Sequence, residues 1–282
     1  MDNNHEDNHT AYQTVHEDHK LLGALPKKPD ARNLIATQFM DTSKSPPRTF
    51  DAELKHGIGP ALRYKKSFEP FRGQGYGSCT ISSQAEWLRR KERAVKFGKD
   101  LYIPDDVVNK RYFRLAGDPN WQSGNYNVQQ YDNGLYELDA INDLLKVGFI
   151  HGGWTYKIDG FAEVPLQLEL MKMAIATFGG IKVCIDVPMN FYHSGPDDQV
   201  DYDGSSIVGG HSMYWNAYDE STFMCVHTWT RKRQHVTNKF VEHCATESYS
   251  LIDAKDVKVQ EFFDLKKFKQ AQQEVMAQPY AG

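Results

Sequence analysis

Residues 73–87 read GQGYGSCTISSQAEW, and the placement of Cys79 within them decides the fold. Glycines at 73, 75 and 77 let the backbone turn sharply just before the cysteine and leave room for a substrate carbonyl beside its sulfur. The run that follows, CTISSQAEWLRRKERAVKFG, puts Ile81, Ala85, Leu88 and Val95 near one face and ends at Gly98. It predicts a long helix with Cys79 in its first turn. A cysteine there meets unpaired N–H groups and the positive end of the helix dipole, both of which favour thiolate over thiol. A buried structural cysteine after a Gly-rich turn carries the same pattern, so this motif alone leaves both readings open.

Three more helices are expected before residue 180. PDDVVNKRYFRLAG would be capped by Asp105 or Asp106 and closed by Gly117, YELDAINDLLKVG closed by Gly148, and VPLQLELMKMAIATFGG opened by Pro165 and closed by Gly179. Beyond Gly180 the texture changes to short β-rich runs, IKVCIDV, SMYWNAYD, STFMCVHTW and SYSLID, with polar loops between them. Helices first and antiparallel strands second predict an α+β domain whose two halves meet along a seam. Residues 1–46 are polar and rich in Asn, Asp and His, broken by Leu21-Leu22 and by two proline clusters, and read as an extended arm. The domain proper is expected over 47–253. A tail over 254–282 follows, whose helix offers Phe262, Phe263, Leu265 and Phe268 for docking on the domain or on a partner.

A chain of 282 residues with 40% hydrophobic content can bury one sizeable core plus appendages. Its formal charge of −4 gives no general reason to expect nucleic-acid binding, and Arg231-Lys232-Arg233 reads as a solvated turn. No apolar run approaches the ~20 residues of a membrane helix, and MDNNHEDNH lacks the basic and apolar regions of a signal peptide. A soluble protein is expected. Its four cysteines are dispersed without a CxxC pair, which fits a reducing compartment. The histidines of HEDNH and HEDH read as a solvated tail, and no metal or cofactor is expected.

The second chemical element lies 132 residues beyond Cys79, in IVGGHSMYWNAYD. A glycine pair precedes His211 at an expected strand start, one layer away from the cysteine helix, as a Cys–His pair requires.

In order along the chain, several segments resemble the papain-like cysteine peptidases. PPRTFD resembles the start of the mature domain, QGYGSC the glutamine-to-cysteine segment, and YDNGLYELDAINDLLKVG the Gly-rich cleft loop with the helix after it. VPLQLELMKMAIATFGGIKVCID, GGHSMYWNAYD and FMCVHTW resemble the later helix, the histidine strand and the strand after it. The resemblance implies a protein or peptide substrate, Cys79 as nucleophile and His211 as its imidazolium partner and later proton donor. It makes Gln74 the side-chain donor of the oxyanion hole, and Asn133, Gly134 and Gly210 part of the substrate-binding walls. Trp229 would shield the hydrogen bond behind the histidine.

Departures accompany these matches. The family's orienting asparagine, 16 positions after the histidine, is His227 here, whose neutral ring can accept a hydrogen bond from His211 and whose charged ring would repel it. Gln74 lies five residues before Cys79 where the family has six, Tyr76 replaces a half-cystine and Thr80 an aromatic. The stretch 226–257 is similar to papain-like proteins of tailed bacteriophages. That likeness implies a virion-associated protein found in the virion or the host cytoplasm, either an active peptidase or a catalytically weak structural subunit binding other virion proteins through residues 1–46 and 257–277. A propeptide role for residues 1–46 is the lesser expectation, because they are too short and polar for the family's helical inhibitory module.

Overall fold

The computed structural model describes residues 22–55, 76–95, 101, 103–195, 198–226, 233–253 and 262–277. The long helix expected after the glycine turn is α1 (Cys79–Val95), followed by α2 (Asp105–Leu115) and α3 (Glu137–Lys146). Asp105 and Asp106 do not cap α2: Pro104 holds the cap position, and the two carboxylates occupy the first turn, where they complement the dipole. α2 and α3 are clamped by Arg111 and Arg114, which donate to Asp143 at 2.6 and 2.7 Å.

A small hairpin of β2 (Phe149–His151) and β3 (Trp154–Tyr156) accompanies the helical half, while the short strand β1 (Phe50–Asp51) joins the main sheet. The main sheet, among the described residues, has eight strands in the order β4-β10-β5-β7-β8-β9-β6, with β1 added on β7. They are β4 (Gly160–Glu163), β5 (Ile181–Pro188), β6 (Gln199–Val200), β7 (Ile207–Tyr218), β8 (Thr222–Val226), β9 (Gln234–Thr237) and β10 (Ala245–Ile252). All pairings are antiparallel except β6 with β9. β5 and β7 form its centre and are covered on both faces, which explains why IKVCIDV reads as a nearly unbroken apolar run.

Each face of the sheet carries its own apolar core. On one side Ile81, Leu88, Tyr112, Phe113, Leu138 and Ile141 of α1–α3 meet Tyr214, Tyr249 and Leu251. On the other, α4 (Leu168–Phe178) and α5 (Asn238–Cys244) cover β5 and β7 through Met171, Ile175, Phe178 and Phe240. α4 therefore belongs to the sheet half and not to the helical half that its place in the sequence suggests. Its first residue is Leu168, three beyond Pro165, and Gly179 ends it in the left-handed conformation at φ 75°.

The arm and the tail also pack on this second face. Ala36, Phe39 and Met40 are buried with Phe263 and with Phe268 of α6 (Leu265–Met276). Phe39 meets Phe268 edge-on at 5.3 Å, and the Asp264 N–H donates to the Phe39 carbonyl at 2.7 Å. The apolar face expected to dock somewhere thus docks on the chain's own arm. A polar knot ties β1 to both halves: Arg233 donates to Asp51 at 2.8 and 3.0 Å, while Glu53 accepts from Arg90 and Asn216 at 2.9 Å each. Burial works against ionisation of Glu53, but Arg90, Arg233 and Asn216 bring its carboxyl below the ordinary range.

Candidate active site

Cys79 is the first residue of α1 and is fully buried. Its position is set by the Ser78 carbonyl, which accepts from the N–H groups of Ile81 and Ser82, and by Ser83, whose hydroxyl donates to the Cys79 carbonyl at 2.6 Å. His211 is not at a strand start as expected. It is the fifth residue of β7, opposite Ile185 of β5, because the Gly209-Gly210 pair continues the ladder against Val187 and Asp186. Across the seam, Ser212, the residue after His211, lies near the Cys79 thiol, and its N–H favours the thiolate.

Two walls flank the sulfur. One is the turn at 132–135, fixed by the Asp132 carboxylate, which accepts from the Gly77 N–H at 2.7 Å and the Tyr112 hydroxyl at 2.6 Å. The same Tyr112 oxygen accepts from the Gly134 N–H at 3.0 Å, so one carboxylate ties the nucleophile turn to the wall. The other wall is Gly209-Gly210.

Between them runs residue stretch 22–25 of the chain's own arm. The N–H groups of Gly23 and Ala24 both donate to the Gly210 carbonyl at 3.1 Å, Leu25 donates to Leu135 at 3.0 Å, and Leu135 donates to Gly23 at 2.9 Å. Ala24 and Leu135 form a parallel bridge. The fit depends on missing side chains. A Cβ on Gly23 would lie 1.9 Å from the Gly77 carbonyl oxygen, one on Gly134 2.5 Å from the Gly23 oxygen, and one on Gly210 2.2 Å from the Ala24 oxygen. Among the described residues of the arm, this placement is made by backbone pairing and close glycine contacts.

Burial pushes the Cys79 thiol up to about 11, against the opposing pull of the Ser212 N–H, the Lys182 ammonium and the Gly23 N–H. In this closed form, burial opposes the thiolate that the helix N-terminus favours.

Of the other expected residues, Gln74, His227 and Trp229 lie outside the described residues. Asn133 is exposed and its side chain donates to the Gln130 carbonyl at 2.7 Å, closing its own turn instead of facing the cleft. Gly134 lies against Gly23, but the backbone that pairs with the peptide is that of Leu135. The Gly210 carbonyl accepts from the N–H groups of Gly23 and Ala24. Sequence reading missed Asp132, Tyr112 and Gly23. The available signal for Gly23 was LLGAL, an apolar island in a polar arm.

No protein-family model matches this sequence, and no curated protein matches it. Solved structures do. Xylellain, a cysteine protease from Xylella fastidiosa, aligns with a TM-score of 0.60 at 16% identity, over 83% of this chain and 96% of that one. The proCathepsin B S9 of Trypanosoma congolense aligns with a TM-score of 0.57 at 13% identity, over 86% and 88%. The digestive procathepsin L 3 of Tenebrio molitor larval midgut gives 0.54 at 11%, over 86% and 87%. The chain thus has the α+β papain-like fold, with Cys79 heading the helix of the helical half and a mostly antiparallel sheet as the other half.

Proposed function

We propose that this chain is a cysteine peptidase or related amide hydrolase, held closed by residues 22–25. The observation that carries the reading is the seating of an extended backbone across Cys79, paired with Leu135 on one side and Gly210 on the other. A cleft that holds one peptide by main-chain hydrogen bonds is suited to holding others, with little demand on sequence except at close contacts.

In the open form, Cys79 would attack an amide carbonyl while His211 takes the thiol proton and returns it to the leaving amine. The Cys79 N–H at the start of α1 is the backbone donor available to the oxyanion, with Gln74 as its proposed side-chain companion. The arm itself is a poor substrate. Its Gly23 N–H donates to the Gly210 carbonyl and its Gly23 carbonyl accepts from Leu135, so both ends of that residue are held by the walls.

A virion location remains a proposal resting on residues 226–257 alone. The described parts of the arm and tail, which that reading assigns to neighbouring subunits, bury Phe39, Phe263 and Phe268 against one another. The test of the peptidase reading is hydrolysis of a mixed peptide library by the full chain carrying Gly23→Ala, with Cys79→Ala in the same background. Hydrolysis abolished by Cys79→Ala supports it. An opened protein that cleaves nothing and does not react with a peptidyl epoxide overturns it.

A further inference from the structure

Beneath the cleft, away from the arm, lies a buried polar hub. Lys182 of β5 is 0% exposed and its Nζ stands 3.1 Å from Oε1 of Glu137, itself 1% exposed. The ammonium also donates to the Ser212 hydroxyl at 2.7 Å, the Thr80 carbonyl at 3.2 Å and the Ser83 hydroxyl. Ser212 in turn donates to Oε2 of Glu137 at 2.7 Å, and the Cys184 thiol points to the same oxygen at 3.4 Å.

Each partner belongs to a different piece of the site. Thr80 and Ser83 are in the first turn of α1, and Ser83 grips the Cys79 carbonyl. Ser212 follows His211 on β7. Glu137 opens α3, two residues after Leu135, whose backbone pairs with the peptide. One ammonium therefore touches the nucleophile helix and the histidine strand and, through one carboxylate, the substrate wall. A buried ion pair adds little net stability over an apolar pair of the same volume, so stability alone does not account for a lysine at the centre of a core strand.

We propose that Lys182, paired with Glu137, is a positioning residue of this site, setting the relation of Cys79, His211 and the Leu135 wall and supplying positive charge beneath the sulfur. The inference rests on the Cys79–His211 reading for its catalytic meaning. The titratable groups that share the field of the Lys182–Glu137 pair are Cys79, Cys184, Arg111, Glu247 and Tyr249, the last donating its hydroxyl to Glu247 at 2.8 Å. Lys182 is the cation that favours the Cys79 thiolate, and its pull outranks the opposing push of Glu137.

The experiment compares the full chain carrying Gly23→Ala with the same chain bearing also Lys182→Met, Lys182→Met with Glu137→Gln, or Ser212→Ala. The double change removes both charges together and so leaves no orphaned ion; Ser212→Ala is the mild variant that keeps the pair. Two readouts are taken: the pH midpoint of Cys79 carbamidomethylation by mass spectrometry, and kcat and KM on a cleaved peptide. In Lys182→Met the midpoint is expected to rise by a pH unit or more; in the folded double variant, where the opposing push of Glu137 goes as well, it should rise by less, with kcat down at least tenfold and KM within threefold. Ser212→Ala should lower kcat by a smaller factor with little change of midpoint. A folded double variant, or Ser212→Ala should the double fail to fold, that matches its parent in both midpoint and kcat overturns the proposal. If the parent cleaves nothing, the peptidase reading fails, and the alkylation midpoint still decides the role of Lys182.

Discussion

Replacing Gly23 with alanine is the sharpest single perturbation of the closed state. The added Cβ would lie 1.9 Å from the Gly77 oxygen, 2.3 Å from its carbonyl carbon and 2.5 Å from its Cα. These are backbone atoms of the turn that places Cys79, and Asp132 holds that turn through the Gly77 N–H, so the wall has no side chain to swing away. The arm must yield instead, and with it four backbone hydrogen bonds. At about 1 kcal/mol each, their loss shifts the opening equilibrium by about 4 kcal/mol, roughly a thousandfold; loss of only half of them gives roughly thirtyfold. The assay is the rate of Cys79 alkylation by iodoacetamide, mapped by peptide mass. Cys184, Cys225 and Cys244, all buried, report global unfolding in the same sample. The expected result is a thirtyfold to thousandfold gain at Cys79 with the other three thiols unchanged. A folded variant alkylated at the parent rate would refute the idea that the arm controls access.

Three further outcomes are expected. Burial and the nearby Glu137 raise the Glu247 carboxyl from 4.5 to about 7, so the folded protein keeps a proton that the unfolded chain releases. Stability should fall as pH rises from about 4.5 to 7, by about 3 kcal/mol in all, and Glu247→Gln should remove that slope in urea melts at pH 5 and 8. Glu53 has the opposite sign: its lowered carboxyl contributes stability above the usual carboxylate range that is lost as pH falls through its folded value. Glu53→Gln should therefore cost about 3 kcal/mol near pH 7 and progressively less in acid; an equal cost at pH 3 would contradict the ion-pair account. Phe268→Ala, which empties a site 1% exposed beneath Phe39 and Phe263, should cost about 3–5 kcal/mol by denaturant melts, and a cost below 1 kcal/mol would deny the tail helix a structural role.

How much of this was legible in the sequence differs by layer. The cysteine helix announced itself through glycines, a cysteine and an apolar stripe, all local features, and so did the change from helical to strand periodicity near Gly180. Local patterns do not say which face of a sheet a helix will cover, which is why α4 was grouped with the wrong half. The state of the thiol was misread for the same kind of reason. The helix dipole is written into residues 77–83, whereas the burial that pushes the thiol up depends on how distant segments pack around it. Lys182 did leave a trace, as a charge inside IKVCID, but its partner Glu137 sits 45 positions upstream in a helix that looks amphipathic and ordinary.

The arm that closes the cleft and the arm that builds the core are different stretches of chain. Residues 22–25 touch the walls through backbone hydrogen bonds, with Leu22 also packed at the edge of the apolar core in which Ala36, Phe39 and Met40 are buried with Phe263 and Phe268. Between them the chain runs along β4, where Lys27 and Asn33 contact the Glu163 carboxylate and the Glu163 N–H donates to the Leu34 carbonyl at 2.8 Å. Lys27 and Lys28 are exposed, and an exposed ion pair such as Lys28 with Asp139 contributes at most about 1 kcal/mol. Opening thus has a natural limit. The aromatic cluster of Phe39, Phe263 and Phe268 is contacted at its edge by Leu22 alone of the closing stretch, so release of residues 23–25 leaves that cluster's ring contacts in place. The alkylation rate of Cys79 should accordingly respond to Gly23 and not to modest destabilisation at Phe268, and a Phe268→Leu variant that exposes Cys79 as readily as Gly23→Ala would show that the two are coupled after all.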